Sequence, residues 1–180
     1  MNGKDELNRF LSGVERRAFK MARFATGNTD EALDLIQDAM FGFVRHYADR
    51  PEDEWKVLFY SILRSRITDW YRRTFVRKRV LSWPSRANDC EDEDDPIQDV
   101  PDTVTLNPLE DIQRHEEAMA LERAIHTLPL RQQQAFLLRA WEEMDVKQTA
   151  FVMGCSEGSV KTHYSRAVHA LRGLLEDIRS

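Results

Sequence analysis

Apolar residues recur at three- and four-residue intervals along most of the chain, the spacing that places them on one side of an α-helix. This spacing predicts three helices in the N-terminal part, over residues 5–26, 28–48 and 54–79. It predicts four more in the C-terminal part, over residues 111–128, 128–145, 147–154 and 156–175. No hairpin signal is present. The pattern therefore predicts an all-α fold.

The same spacing predicts which side of each helix faces a core. In the second helix we expect Ala32, Leu35, Ile36, Ala39, Met40, Phe43 and Val44 to point inward. In the third we expect Leu58, Ile62 and Ile67, and in the fifth Phe136, Leu137, Ala140 and Trp141. In the last helix the apolar stripe is Val160, Tyr164, Ala167, Val168, Leu171, Leu174 and Leu175.

The helical pattern fails between the two groups of helices, where the sequence becomes strongly acidic. Residues 88–111 read "NDCEDEDDPIQDVPDTVTLNPLED", with ten acidic residues, three prolines and no Lys or Arg. A segment of this composition cannot bury enough apolar surface to fold by itself. We expect an acidic flexible linker over residues 81–112 that joins two small helical domains, residues 1–80 and 113–180.

The charge is segregated, although the chain as a whole carries a net charge of −5. Residues 56–86 contain nine Lys or Arg and a single acid, Asp69. Aromatic residues alternate with these bases: Trp55, Phe59, Tyr60, Trp70, Tyr71, Phe75 and Trp83. Basic side chains hold a phosphate backbone and aromatic rings stack on unpaired bases, but the aromatic residues are also ordinary core residues.

A helix-turn-helix is predicted near the C-terminus, from "KQTAFVMG" followed by "CSEGSVKTHYSRAVHALRGLL". Gly154 supplies the left-handed turn residue, and Ser156 is a good N-cap for the second helix. In this motif the first turns of the second helix meet base edges in the major groove. Lys161 and Arg166 can bind phosphates or guanine acceptors. A basic helix face is equally compatible with simple solvation.

Composition excludes several classes of protein. No apolar run approaches the roughly 20 residues of a membrane span, and the N-terminus lacks the plan of a signal peptide. Two cysteines, Cys90 and Cys155, do not make a disulfide framework or a zinc site. We expect a cytoplasmic protein without membrane insertion, metal or cofactor.

With both halves considered, the chain resembles the extracytoplasmic-function sigma factors, the two-domain sigma subunits of bacterial RNA polymerase. "EALDLIQDAMFGFVRHYAD" is similar to the family's core-polymerase-binding helix, and "LFYSILRSRITDWYRR" to its minus-10 helix. The segment from Leu128 to Leu175 is similar to its minus-35-binding domain. The resemblance implies a protein that directs core RNA polymerase to promoters, melts the minus-10 element and reads the minus-35 element.

The resemblance also implies site residues. Core polymerase is expected to contact Asp34, Leu35, Gln37, Asp38 and Phe41. Minus-10 DNA is expected to contact Trp55, Arg64, Arg66, Asp69, Trp70, Arg72, Arg73, Arg77 and Lys78, and the loop from about Asp49 to Trp55 to capture a flipped base. Minus-35 DNA is expected to contact Glu157, Ser159, Lys161, Thr162, Ser165 and Arg166. An anti-sigma factor is a further expected partner, although the two domains could instead hold each other closed.

The chain departs from the family pattern at several positions. Ser65 stands where Asn is frequent, Leu58 where Trp is frequent, and Lys147 and Gln148 where acids are usual. These departures affect the expected promoter sequence rather than the fold. The acidic linker either competes with nascent RNA inside the polymerase or only stays solvated, and the composition favours neither.

Two other functions are compatible with parts of the sequence. An ordinary helix-turn-helix regulator accounts for the C-terminal helices but leaves the N-terminal ones without a role. An enzyme would have to use His115, Glu116, Glu117 and His126, or Cys155. The two histidines are 11 residues apart without a third ligand, and no Gly-rich phosphate loop or nucleophile elbow is present, so we expect no catalytic residue.

Overall fold

The computed structural model describes the backbone of residues 3–81 and 110–179, and the side chains of residues 3–76 and 116–176. The elements in order are α1 (Gly3–Thr26), α2 (Thr29–Tyr47), α3 (Glu52–Leu81), α4 (Glu110–Thr127), α5 (Leu130–Phe136) with a π-helical turn (Leu137–Trp141), α6 (Val146–Met153) and α7 (Glu157–Arg179). All of these elements are helical, which confirms the predicted fold class.

The chain forms two compact units, one mainly from α1–α3 and one mainly from α4–α7. The predicted linker covers residues 81–112, and residues 82–109 of it lie outside the described residues. Helix α4 begins at Glu110, before the predicted domain start at residue 113. Within the described residues, no helix has both the length and the apolarity that crossing a membrane requires.

Local sequence explains the tight connection between α1 and α2. Gly27 ends α1 with a φ of 66°, a left-handed conformation that costs glycine little. Asn28 then caps α2, because its Oδ1 accepts hydrogen bonds from the backbone N–H of Asp30 (2.8 Å) and of Glu31 (3.1 Å). This cap fixes the residue at which α2 starts.

An aromatic cluster forms one end of the core of the first unit. Phe10 of α1, Phe43 of α2, and Trp55 and Phe59 of α3 lie with ring centroids 5.4–6.2 Å apart. Phe43 and Phe59 are fully buried. Rings in these tilted and edge-to-face arrangements stabilise the packing beyond the area that they bury. The cluster therefore holds α1, α2 and α3 in one fixed arrangement.

Some predicted core positions of the first unit are wrong. Leu58 and Ile62 are only half-buried, whereas Phe59, Tyr60 and Leu63 are completely buried. Val44 is 41% exposed. The reason is that α3 is covered by two helices, α1 and α2, so its buried side is wider than a single stripe and includes the aromatic residues. Periodicity alone does not indicate how many neighbours a helix has.

In the second unit, the predicted inner face of α5 is also wrong in part. The buried residues are Gln133, Gln134, Ala135, Leu137 and Leu138, while Phe136 and Trp141 are half-buried and Ala140 is exposed. The π-helical turn contributes to this difference. The backbone N–H of Glu142 donates to the carbonyl of Leu137 five residues earlier (3.0 Å), which inserts an extra residue into the turn. Ala140 and Trp141, which lie within this turn, are therefore rotated relative to an ideal α-helix.

Candidate protein and nucleic-acid interfaces

The outer face of α2 combines acidic residues with an exposed aromatic ring. At about 100° per residue, Asp34, Gln37, Asp38 and Phe41 span about 100° of the helix surface. All four are exposed, and Phe41 is 74% exposed. Ala39 and Phe43, on the opposite side, are completely buried. The core therefore fixes which side of α2 points outward, and that side carries an exposed phenylalanine beside two carboxylates.

Leu35 does not belong to this outer face. It is 5% exposed and packs in the core of the first unit. The periodicity of the helix predicted this burial, whereas the expected contact with polymerase required an exposed side chain. Sequence reasoning missed Leu33, which is 45% exposed, and placed Val44 in the core. Together with Phe41, these two residues give α2 three large exposed apolar side chains. A helical-wheel projection of α2, started from Phe41, would have shown that Leu33 lies outside the buried side.

The second half of α3 carries a polar face. Arg66, Asp69, Arg72 and Arg73 are exposed, and the guanidinium Nε of Arg73 donates to the backbone carbonyl of Asp69 (3.3 Å). Trp70 is half-buried, and its indole Nε1 donates to Oε2 of Glu31 at the start of α2 (2.8 Å). The tryptophan ring is therefore held against α2, beside the exposed arginines of α3.

Trp55 is placed differently from its expected role in DNA binding. It is 4% exposed, its ring packs against Phe10 and Phe43, and its Nε1 donates to the carbonyl of Arg50 (2.7 Å). A ring in this position supports the loop before α3 from beneath and does not reach a base. Arg64 is half-buried, and the side chains of Arg77 and Lys78 lie outside the described residues.

The loop expected to capture a base is the short connection between α2 and α3. Asp49 and Arg50 are exposed there, and Nε of Arg50 lies 3.7 Å from Oε2 of Glu54. Because Trp55 anchors the carbonyl of Arg50 from the core side, the outer side of this loop presents its polar atoms in a defined position.

The helix-turn-helix has the geometry that its sequence predicts. Asp145 and Gln148 form a reciprocal capping box at the start of α6, with Gln148 N donating to Asp145 Oδ1 (2.7 Å) and Asp145 N donating to Gln148 Oε1 (3.1 Å). Gln148 thus performs a capping role although it departs from the family's usual acid.

The turn between α6 and α7 is a Schellman motif. Gly154 has a φ of 63°, its N–H donates to the carbonyl of Phe151 (3.2 Å), and Cys155 N–H donates to the carbonyl of Ala150 (3.1 Å). Ser156 then caps α7 through a hydrogen bond from the N–H of Ser159 (3.1 Å). The predicted turn glycine and N-cap are both confirmed.

Helix α7 buries one side and exposes the residues expected to read DNA. Val160, Ala167 and Leu171 are buried. On the rest of the surface Glu157, Lys161, Thr162, Ser165 and Arg166 are exposed. Ser159 is half-buried and its hydroxyl lies 2.9 Å from that of Ser156, so the capping contact engages it already. The first three turns of α7 therefore present a mixed polar surface with two cations.

Glu116 and Glu117 are exposed, His126 and Cys155 are half-buried, and the side chain of His115 lies outside the described residues. Among the described residues, no group of three His, Cys, Asp or Glu side chains could hold a metal ion.

Known families and proteins resemble the chain along most of its length. The family Sigma-70 region 2 matches residues 8–75, and the family Sigma-70, region 4 matches residues 118–171. An RNA polymerase sigma-E factor of Streptomyces antibioticus is 31% identical over 147 residues, which cover 81% of this chain and 71% of that protein. The ECF RNA polymerase sigma factor BldN of Streptomyces coelicolor is 26% identical over 179 residues, covering 96% of this chain and 61% of that protein.

A solved structure has the same fold. The sigma factor RpoE, crystallised in complex with the anti-sigma factor NepR from Bartonella quintana, superposes with a TM-score of 0.68 at 23% identity, and the match covers 96% of each chain. Sigma factors are not known as enzymes; they direct RNA polymerase to initiate transcription at specific promoters. With regions 2 and 4 both matched, in the order in which sigma factors carry them, the chain belongs to the extracytoplasmic-function sigma factors of bacterial RNA polymerase.

Proposed function

We propose that three separate faces divide the work of this sigma factor. The outer face of α2 binds core RNA polymerase, the polar face of α3 with the loop before it binds minus-10 DNA, and the start of α7 reads the minus-35 element. The domain limits that go with these roles are residues 1–80 and 113–180, with the acidic linker over 81–112. Bacterial RNA polymerase acts in the cytoplasm, which is where we place the protein.

The observation that carries the assignment of α2 is the exposure of Phe41. A phenylalanine that is 74% exposed is costly to leave in water, and exposed aromatic residues are enriched at the centres of protein interfaces. Asp34 and Asp38 lie on the same face, so the face fits an apolar and basic partner surface. Leu33 and Val44 extend the apolar part and join Gln37 in the proposed interface. Leu35 supports this face from the core.

For minus-10 DNA the proposal uses the side chains that α3 exposes. Arg66, Arg72 and Arg73 are available to phosphates, and Asp69 can accept a hydrogen bond from an exocyclic amino group. Trp70 offers a ring edge beside them, while Arg64, Arg77 and Lys78 continue the basic sequence along the helix. We assign no DNA contact to Trp55, which instead supports the loop that precedes α3.

For minus-35 DNA the proposal uses the first turns of α7. Lys161 and Arg166 are exposed cations, and Glu157, Thr162 and Ser165 are exposed groups that can contact base edges or phosphates. Ser159 mainly takes part in the N-terminal cap of α7, through its contact with Ser156. The polar N-terminal end of a capped helix after a tight turn is the geometry by which a helix-turn-helix enters the major groove.

An anti-sigma factor is the further partner that we propose. The support is the likeness in fold to RpoE, which was crystallised with the anti-sigma factor NepR, together with the exposed apolar side chains of α2. An inhibitor that covered Leu33, Phe41 and Val44 would exclude core polymerase from the same face.

The test starts with the full chain and bacterial core RNA polymerase that lacks any sigma subunit. Co-elution on a sizing column measures assembly, and transcription from a pool of promoter fragments, with sequencing of RNA 5′ ends, measures promoter choice. The double variant Asp34→Arg, Asp38→Arg is expected to abolish co-elution, while the double variant Asp5→Arg, Glu15→Arg, at exposed positions of α1, is its charge-matched control. The double variant Lys161→Ala, Arg166→Ala is expected to co-elute normally and to lose start sites.

The outcomes separate the α2 and α7 assignments. Normal co-elution of the α2 variant would refute the α2 interface, and an equal loss in the variant and its control would mean that the charge change and not this face is responsible. Unchanged start sites in the α7 variant would refute minus-35 reading by these residues. Binding to duplex DNA by a wild-type chain that ignores polymerase would favour an ordinary helix-turn-helix regulator and would contradict the family assignment.

A further inference from the structure

Tyr164 of α7 contacts two side chains of the preceding segment. Its ring is stacked on that of Phe136 of α5, with centroids 6.3 Å apart and an angle of 15° between the planes. The guanidinium carbon of Arg139, in the π-helical turn, lies 5.8 Å from the centre of the same ring. Phe136, Arg139 and Tyr164 are all half-buried. We call these three residues the Tyr164 bracket.

Arg139 is itself fixed by the backbone that follows its helix. Its Nη1 donates to the carbonyl of Met144. Between them the chain passes through Glu143, which has a left-handed φ of 53°, and Met144 is 2% exposed. Because the guanidinium is planar and rigid, a hydrogen bond on one nitrogen limits where its face can lie. The π-helical turn thus delivers Arg139 to the ring of Tyr164 in a defined orientation.

The bracket lies close to the residues proposed to read DNA. Seven residues separate Glu157 from Tyr164, which is about 10 Å along the helix axis. A rotation of α7 by about 10° about its axis would move side-chain tips at a radius of about 5–6 Å by about 1 Å. Hydrogen bonds to base edges are made within a range of about half an ångström. A small change in how α7 is held would therefore change which base contacts form.

From this geometry we infer that Arg139 and Tyr164 are positioning residues for minus-35 discrimination. They set the rotation of α7 on α5, and so determine which of Glu157, Thr162 and Ser165 reach base edges. The inference rests on the proposed role of α7, and it adds residues that do not themselves touch DNA. The periodicity of the last helix predicted only that Tyr164 is a core residue, and the sequence analysis assigned no role to Arg139.

The test uses holoenzyme assembled from bacterial core RNA polymerase and the full chain. A pool of duplex promoter fragments with a randomised minus-35 segment is selected by binding and then sequenced, which gives the preference at each base pair. Tyr164→Leu removes the ring and keeps apolar volume, and Arg139→Gln removes the planar cation. Tyr164→Phe keeps both ring contacts. Ile125→Val, in the core at α4 and outside the bracket, is the control for a loss of stability alone.

We expect Tyr164→Leu and Arg139→Gln each to lower the preference for the favoured base about tenfold at one or more positions. Tyr164→Phe and Ile125→Val should keep the wild-type preferences. The double variant Tyr164→Leu, Arg139→Gln should lose little more than either single variant, because both changes release the same ring.

Other results would overturn the inference. An equal loss of affinity for all sequences, with unchanged preferences, would mean that the bracket only stabilises the fold. Wild-type preferences in both Tyr164→Leu and Arg139→Gln would mean that α7 is positioned without it. If the wild-type holoenzyme itself selected no minus-35 sequence, the proposed role of α7 would fail, and the inference would fall with it.

Discussion

Replacing Phe41 by alanine tests the α2 interface most directly. A buried phenylalanine covers about 150–250 Å², and with 74% of Phe41 exposed, about 110–180 Å² is available to a partner. At about 25 cal/mol per Å² this area corresponds to about 3–4.5 kcal/mol. Alanine keeps part of that contact, which leaves a loss of about 2–3 kcal/mol, or about 30- to 150-fold in Kd.

The assay is titration of labelled full chain with core RNA polymerase, followed by fluorescence anisotropy. Val76→Ala is the control, because Val76 is 56% exposed on α3 and lies outside the α2 face; we expect its Kd to stay within about twofold. The unfolding temperature of Phe41→Ala should be unchanged or slightly raised, since alanine is the better helix former.

A Kd for Phe41→Ala within twofold of the wild type would refute the reasoning, because a central apolar contact cannot be lost without cost. A clear fall in unfolding temperature would also contradict it, since it would mean that the ring stabilises the free protein. In either case Phe41 would not be the anchor of the interface.

Three further predictions concern the second unit. Ser156→Ala should lower the free energy of unfolding of this unit by about 1 kcal/mol, because the N–H of Ser159 loses its cap; chemical denaturation measures it. Glu143→Gly should raise that free energy by about 0.5–1 kcal/mol, because glycine adopts the φ of 53° without the strain of a side chain. Lys161→Ala should weaken promoter binding by holoenzyme and reduce its salt slope by about one, if Lys161 contacts a phosphate.

Each of these predictions has an outcome that contradicts it. Ser165→Ala removes an exposed hydroxyl in the middle of the same helix, and an equal loss of stability there would mean that capping is not the cause. Destabilisation by Glu143→Gly would show that its side chain makes a contact worth more than the backbone strain. An unchanged salt slope, together with altered base preference, would move Lys161 from phosphate binding to base reading.

The sequence by itself determined the features that depend on near neighbours along the chain. The helices, the caps at Asn28 and Ser156, and the left-handed turn at Gly154 follow from side chains within a few residues of the atoms they bind. The exposed acidic face around Phe41 follows from helical geometry once the opposite stripe is apolar. The family resemblance rests on these same local patterns, in a fixed order along the chain.

Only the tertiary structure decided the features that depend on residues far apart in sequence. Trp55 belongs to the core because it packs against Phe10 and Phe43. Trp70 is held by a hydrogen bond to Glu31, which is 39 residues away in the sequence. The π-helical turn brings Arg139 to the ring of Tyr164. Helical periodicity assigns a side chain to one side of its own helix, but it does not say which helices cover that side or which distant group it meets there. Burial and partners are therefore properties of the packed chain.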